Sequence, residues 1–549
     1  MLRDLGHRCD SIVSGAGSRW QELNAGSISL AAGGWRFRML AVIGTLAIVF
    51  FSRWWLAPRY LFYFDSVNFA LALSEFDPVL HQPQPPGYPL FVGLSRFLHV
   101  ILPSVELVFL FAGVLGAAAA VLLLWCLGER MFGPRAGFAA ALLLLFNPAF
   151  WLAGITNQVR VFLAAGAVAV ALYAWRAWRP ESPTRYFLIA AAMFGVAAGF
   201  RPDLLLFLAP LLVVTGIHGK RSIRTFASAA LLAALCSLPW AIALLVEAGG
   251  FMPLFQQWSN YLQAESQHSS LLLGADAAPA GRMLSAALVW NFTGAVSWCW
   301  ALAWFWARPP LTKRPGLADW RSAAVFLGVW FLPAFLFHSL VHVGDPDQTL
   351  PTIPVICLLG GWALSRLPAV IPLTRRIQPP WIAAVALAVC LNVLLFFRPL
   401  PAPANAASYG VVTWSDGLAN ATFRAIRELK NSGPVYLVAC EPFVTWRKVA
   451  YYFPDDPVLV LTGCPGGSGD VSRTWVSHQR TSHPPPADAD EILLPENTRI
   501  IWLLPPEPGV TKSLEEAIPL EQLGSLYYFD ARGGERFEFG GYSFSVRGR

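Results

Sequence analysis

Residues 39–57 read MLAVIGTLAIVFFSRWWLA, and residues 58–65 that follow read PRYLFYFD. The first stretch carries a single charge, Arg53, near its end. It approaches the roughly 20 apolar residues that a helix needs to cross a bilayer. The second stretch is an aromatic run closed by Asp65, the first acid after the span. Aromatic side chains gather at membrane–water interfaces, and an acid beside lipid is costly and rarely idle. The reading is therefore a membrane helix that delivers a carboxylate to the membrane surface.

Ten further apolar segments follow, at about 105–127, 137–153, 160–178, 186–200, 203–217, 226–247, 284–306, 322–341, 350–367 and 381–398. The pair 186–200 and 203–217 is short and meets at Arg201-Pro202-Asp203. The composition agrees with a polytopic chain. Of 549 residues, 56% are hydrophobic and 13% charged, against roughly 25% charged in an ordinary soluble domain. This excludes a disordered chain, a disulfide scaffold and a single compact soluble domain. The net charge of +7 belongs to loops beside the membrane and gives no reason to expect a nucleic-acid partner. Five lysines against 35 arginines suit a GC-rich, bacterial genome. The eight cysteines include no CxxC pair and no zinc spacing, so no structural metal is indicated. The polar first 38 residues lack the pattern of a cleaved signal peptide.

Basic residues fix the expected orientation. With the N-terminus inside, 20 Lys and Arg fall in inner segments and six in outer loops and adjacent helix ends, the other 14 lying from Arg398 onward. That asymmetry follows the positive-inside rule. The expected organisation is a cytoplasmic segment 1–38, a transmembrane domain 39–398 with a long outer loop 58–104, and an extracytoplasmic domain 399–549. The expected location is the plasma membrane, the inner membrane of a bacterium, with membrane lipids as surroundings.

The tail opens on the stiff linker Pro399-Leu400-Pro401-Ala402-Pro403. Helices are expected over 422–430 and 442–452, and strands over 435–439, 458–461 and 499–504. The alternation predicts a small α/β domain. Cys440 and Cys464 follow two of these strands and would reach one another if the strands are parallel neighbours in an oxidising compartment.

The outer loop holds the most informative residues. Asp65 precedes a short apolar run, 66–73, and can be read as its helix cap or as a reactive carboxylate. Five prolines in the fourteen residues 78–91 (Phe76-Asp77-Pro78 through Gln82-Pro83-Gln84-Pro85-Pro86-Gly87-Tyr88-Pro89) stiffen the backbone. The segment is a rigid elbow, a preshaped wall offering His81, Gln82, Gln84 and Tyr88 to a polar ligand, or both.

An Asp just after the first span, a helix, and then a Pro-Pro-Gly-Tyr-Pro segment resemble the first outer loop of the GT-C superfamily. These are integral-membrane glycosyltransferases that use polyprenyl-phosphate sugars. The bacterial members related to protein O-mannosyltransferases and lipid A aminoarabinose transferases look nearest. The stretch His342-Val343-Gly344-Asp345-Pro346-Asp347-Gln348 resembles that group's His-x-Gly-x-x-Gly-Tyr pattern before a late span, with Asp347-Gln348 standing where Gly-Tyr is usual. Gly199-Phe200-Arg201-Pro202-Asp203 resembles a Gly-x-x-Arg-Pro-Asp segment between middle spans. The likeness covers roughly residues 39–400.

The resemblance implies a membrane glycosyltransferase fold and a catalytic carboxylate at Asp65. It implies a donor monosaccharide on a polyprenyl phosphate and an acceptor hydroxyl on a protein, glycan or lipid. Arg201 would grip the lipid phosphate, since guanidinium pairs bidentately with phosphate oxygens. Its bland alternatives are a pair with Asp203 or a side chain reaching head groups. His342 and Gln348 would contact the leaving group or the donor, the alternative for His342 being a helix-end bond to a carbonyl. Asp345 and Asp347 read as a solvated turn. Some superfamily members bind a metal through acids in the second outer loop, but residues 147–160 here contain no Asp or Glu. Hard cations prefer carboxylate oxygens, so metal-independent chemistry is favoured over a divalent ion, and no cofactor is expected. Two rival functions remain: a transporter or flippase for a lipid-linked saccharide, and a non-enzymatic binding protein.

Overall fold

A computed structural model describes residues 34–78, 81–156, 158–267, 270–302, 320–367 and 380–431. In the tail it describes 435–440, 444–456, 458–461, 474–476, 491–494, 498–502, 516–520, 524–531, 534–539 and 542–546. The chain divides into two compact units, Met1–Ala57 with Pro85–Tyr409, and Pro58–Gln84 with Gly410–Arg549. The segment expected as the first outer loop is thus split: residues 58–84 cluster with the tail, and the chain re-enters the helical unit at Pro85.

In chain order the helices begin with α1 Trp35–Trp54, α2 Phe64–Ser74, α3 Pro89–His99, α4 Val105–Phe132, α5 Pro134–Leu145 and α6 Pro148–Thr156. They continue with α7 Val161–Ala177, α8 Thr184–Phe200, α9 Asp203–His218, α10 Ile223–Glu247, α11 Phe251–Ser266 and α12 Ala277–Phe292. The last are α13 Trp320–Leu340, α14 Ile353–Ser365, α15 Pro380–Phe397, α16 Tyr409–Lys430 and α17 Val444–Tyr452. Among the described residues, α1, α4, α10 and α13 are each long and apolar enough to cross a membrane. Shorter apolar helices fall on other expected spans: α7, α8, α9, α14 and α15. The chain is an integral membrane protein.

The apolar segment at 137–153 is not one straight helix. α5 and α6 meet at a 52° bend, because Pro148 opens a new helix and Asn147 caps it. The Asn147 Oδ1 accepts from the Ala149 and Phe150 amides at 3.1 and 3.2 Å. Near 284–306 the chain forms α12 and then a 3-10 turn, Thr293–Ser297, and residues 303–319 lie outside the described ones. Small residues let the helices approach closely. A Cβ on Gly137 of α5 would sit 2.5 Å from the Trp125 carbonyl oxygen of α4, so this crossing accepts no larger side chain.

In the second unit β1 Val435–Cys440 pairs in parallel with β2 Val458–Leu461, and α17 joins them as a crossover. β1 also pairs in parallel with β5 Thr498–Trp502. β3 Thr474–Val476 closes one edge, and β6 Glu516–Leu520 with β7 Gly524–Ala531 extend the other, in the order β3-β2-β1-β5-β7-β6. A second sheet has the order β4-β9-β8, from β4 Glu491–Leu494, β8 Arg536–Phe539 and β9 Tyr542–Val546. The parallel neighbourhood assumed for the tail cysteines is present, but Cys464 lies outside the described residues.

α16 begins thirteen residues before the helix expected from Thr422. Gly410, Gly417 and Asn420 lower its local propensity. Burial of Val412, Ala419, Phe423 and Ile426 along one face overrides that deficit.

Candidate functional site

Asp65 stands in the first turn of α2, whose cap residue is Tyr63. It is therefore inside the helix and not its cap. A carboxylate there faces the positive end of the helix dipole. The side chain is half-buried. Asn68, one turn further along the same face, is fully buried, and neither its amide nitrogen nor its oxygen has a hydrogen-bond partner among the described residues. Gln84 is in the same condition at 2% exposure. Leaving a buried polar group unpaired costs about 1–3 kcal/mol, so such groups call for an explanation. Two amides on the unit that carries Asp65 suit a ligand rich in hydroxyls. Asn68 was not singled out in the sequence, although its spacing of three from Asp65 was visible there.

The loop between them is tightly turned. Asp77 and Gln82 exchange both backbone hydrogen bonds, at 2.7 and 2.8 Å. His81 sits at the tip with φ 57°, in the left-handed region. Burial, and after it the field of the Arg447 guanidinium, hold its imidazole below the ordinary histidine value. It therefore favours the neutral form, which both donates and accepts. The Gln82–Pro83 and Pro85–Pro86 peptide bonds are cis.

In the helical unit Tyr88 is buried, with φ 48°, and opens α3. The Arg201 guanidinium carbon lies 5.8 Å from its ring centroid. Nearby, a Cβ on Gly199 would stand 2.6 Å from both Leu90 and Trp240, so α8 meets its neighbours closely there. Arg201 also donates to Asp203 Oδ2 at 2.6 Å. The carboxylate pair read as its bland alternative is thus real. It leaves a second, buried guanidinium nitrogen, Nη1, without a hydrogen-bond partner among the described residues.

His342 and Gln348 meet around Gly344. A Cβ on that glycine would lie 3.3 Å from His342 Nε2 and 3.5 Å from Gln348 Nε2. The Gln348 Oε1 accepts from the Gly344 amide at 2.9 Å, which spends that oxygen on the turn. The neighbouring Asp347 corrects the expectation of a solvated turn. It is completely buried, and Oδ1 lies 3.6 Å from Nε of Arg160, itself nearly buried. A charge placed where the resembling pattern has Gly is thus matched by an arginine from the segment before α7. His338 lies within the electrostatic reach of Asp203, Arg160 and His342. Arg160, Asp203, His338 and His342 therefore form one cluster of ionisable side chains at helix ends, with Arg201 bonded to Asp203 and Asp347 paired with Arg160. Arg201 and His342 stand out in the sequence by their motifs, whereas Arg160 reads there only as a charge of an outer loop or helix end.

Among the described residues, no group of three or more His, Cys, Asp or Glu side chains is placed to hold a metal ion.

Comparison with known proteins agrees with this architecture. Residues 83–245 match the family model described as dolichyl-phosphate-mannose-protein mannosyltransferase. The solved structure of ArnT from Cupriavidus metallidurans bound to undecaprenyl phosphate aligns with a TM-score of 0.51 at 17% identity, over 79% of this chain and 87% of that one. The apo state of the same protein gives 0.47 at 17% identity, over 79% and 86%. The apo oligosaccharyltransferase of Archaeoglobus fulgidus gives 0.38 at 13% identity, over 75% and 63%. None of the curated proteins matches. The first structural match shows a shared fold, and with the family model it bears out the resemblance to GT-C membrane glycosyltransferases.

Proposed function

We propose that this chain of GT-C fold transfers a monosaccharide from a polyprenyl-phosphate carrier to an acceptor hydroxyl on a protein, glycan or lipid at the outer membrane face. The observation that carries this reading is Arg201, bonded to Asp203 through Nε with its Nη1 unspent. A helix end holds Arg201 with this spare donor, beside the Arg160–Asp347 pair and His342. A partly exposed arginine with an unspent donor at that position suits a lipid phosphate, whose polyprenyl tail would lie along apolar helices.

The proposed step is a single displacement. The Asp65 carboxylate takes the proton of the acceptor hydroxyl as its oxygen bonds to sugar C1. The bond from C1 to the phosphate oxygen breaks, and the phosphate leaves with the electron pair. One displacement inverts C1. A phosphate is already a good leaving group, so the cationic side chains need only stabilise its developing charge. Neither a metal nor a cofactor takes part in this reading, which rests on the absence of acids from residues 147–160.

The test is an assay in liposomes with a labelled polyprenyl-phosphate sugar and a mixture of hydroxyl acceptors. Sugar appearing on an acceptor, with an equal amount of free polyprenyl phosphate, supports the reading. Movement of intact donor between leaflets without either product contradicts it and identifies a flippase.

A further inference from the structure

Residues 59–62, between the first span and α2, form no helix or strand. Tyr60, Leu61 and Phe62 are nevertheless buried. Buried backbone groups need partners, and here side chains of the tail supply them. The Asp416 carboxylate accepts from the Arg59 amide at 3.0 and 2.9 Å and from the Tyr60 amide at 3.1 Å. The Tyr452 hydroxyl accepts from the Leu61 amide at 2.9 Å. The Lys448 ammonium donates to the Phe62 carbonyl at 2.9 Å. The Tyr60 hydroxyl lies 3.3 Å from Asn420 Oδ1, and its ring packs edge-on against Phe423 and Tyr452.

The spacing is regular. Asp416 and Asn420 are four apart on α16, and Lys448 and Tyr452 are four apart on α17, so each helix presents two groups from one face. Four consecutive backbone residues are gripped, ending three positions before Asp65. Lys448 is itself buried, an expensive place for an ammonium unless it is hydrogen-bonded.

We propose that Asp416, Lys448 and Tyr452 are positioning residues, and that the tail acts in catalysis by fixing the 59–62 backbone and so the aim of Asp65. This rests on the reading of Asp65 as the base. None of the three touches the reacting atoms. Their effect travels through the backbone into the first turn of α2, and misplacement by about 1 Å can cost on the order of 100-fold in rate.

The test compares full-length, detergent-purified variants in the sugar-transfer assay. Tyr452→Phe keeps the ring and removes only the acceptor oxygen. Asp416→Ala removes both carboxylate oxygens, and Asp416→Asn restores Oδ1, which accepts from both amides. Tyr452→Phe and Asp416→Ala are expected to lower kcat by about tenfold, with the donor KM changed less than about twofold, and Asp416→Asn should recover most of the loss. Placed on top of Asp65→Asn, Tyr452→Phe should change the remaining rate by less than about twofold, because effects that act through one group do not add. Wild-type kcat in both tail variants, measured on protein with an unchanged melting temperature, would overturn the proposal. So would an equal tenfold loss in the Asp65→Asn background. If Asp65→Asn alone is fully active, the reading of the base fails instead, and the two failures are told apart.

Discussion

Arg201 serves two neighbours at once. It is bonded to Asp203 at 2.6 Å and leans on the Tyr88 ring, yet keeps one buried donor nitrogen unspent. Asp203 holds the guanidinium through Nε, and the unspent Nη1 is a donor from which a phosphate could accept. Hydrogen bonds to charged groups are worth roughly 1.5–3 kcal/mol, which corresponds to about 10–100-fold in affinity. Arg201→Gln is therefore expected to raise the donor KM by about that factor. Arg201→Lys should recover little of it, because a point charge cannot replace the planar fork. Initial rates across donor concentrations provide the check, and an unchanged KM would return Arg201 to a purely structural pair with Asp203.

Helix α17 both crosses between β1 and β2 and faces residues 61 and 62. Its Lys448 is pushed down to about 8 by burial, against the opposing pull of Asp416. The unfolded chain holds that proton up to its ordinary value of 10.5. Between these values the unfolded state binds more protons than the folded one, so stability rises with pH. Below about 8 both states are protonated and this group contributes no slope. Melting temperatures of purified protein between pH 7 and pH 10 should show the rise in the wild type and lose it in Lys448→Met. An identical slope in both would assign it to other groups.

Across the whole molecule, the apolar spans were legible because hydropathy is local. So was the break at Arg201-Pro202-Asp203, which carries its own proline. The bend before Pro148 was written as Asn147-Pro148 and passed over in favour of hydropathy. What stayed hidden are pairings between distant segments. Asp416 and Arg59 are 357 positions apart, and no periodicity announces that a tail acid will bind loop amides. Asp347 looked like a turn residue because its partner, Arg160, comes from another helix end. Reporter fusions after residues 80, 375 and 545 should place 80 and 545 together outside and 375 inside. Opposite sides for 80 and 545 would break the odd count of spans.

The central claim is that Asp65 is the base of a sugar transfer. Its position in the first turn of α2 makes a purely structural role measurable. Replacing that acid by Asn forfeits about 0.3–1 kcal/mol of helix-dipole interaction, too little to unfold the chain, and preserves the size of the side chain. A general base contributes typically about 10²–10⁴-fold. The deciding experiment is sugar transfer from a polyprenyl-phosphate donor by purified wild type and Asp65→Asn, each with and without a chelator. The account predicts normal folding and donor binding in the variant, transfer slower by at least ~100-fold, and a wild type indifferent to the chelator. Equal rates for the two proteins would contradict the role of Asp65, and wild-type activity lost to the chelator and restored by added metal would contradict the metal-free step.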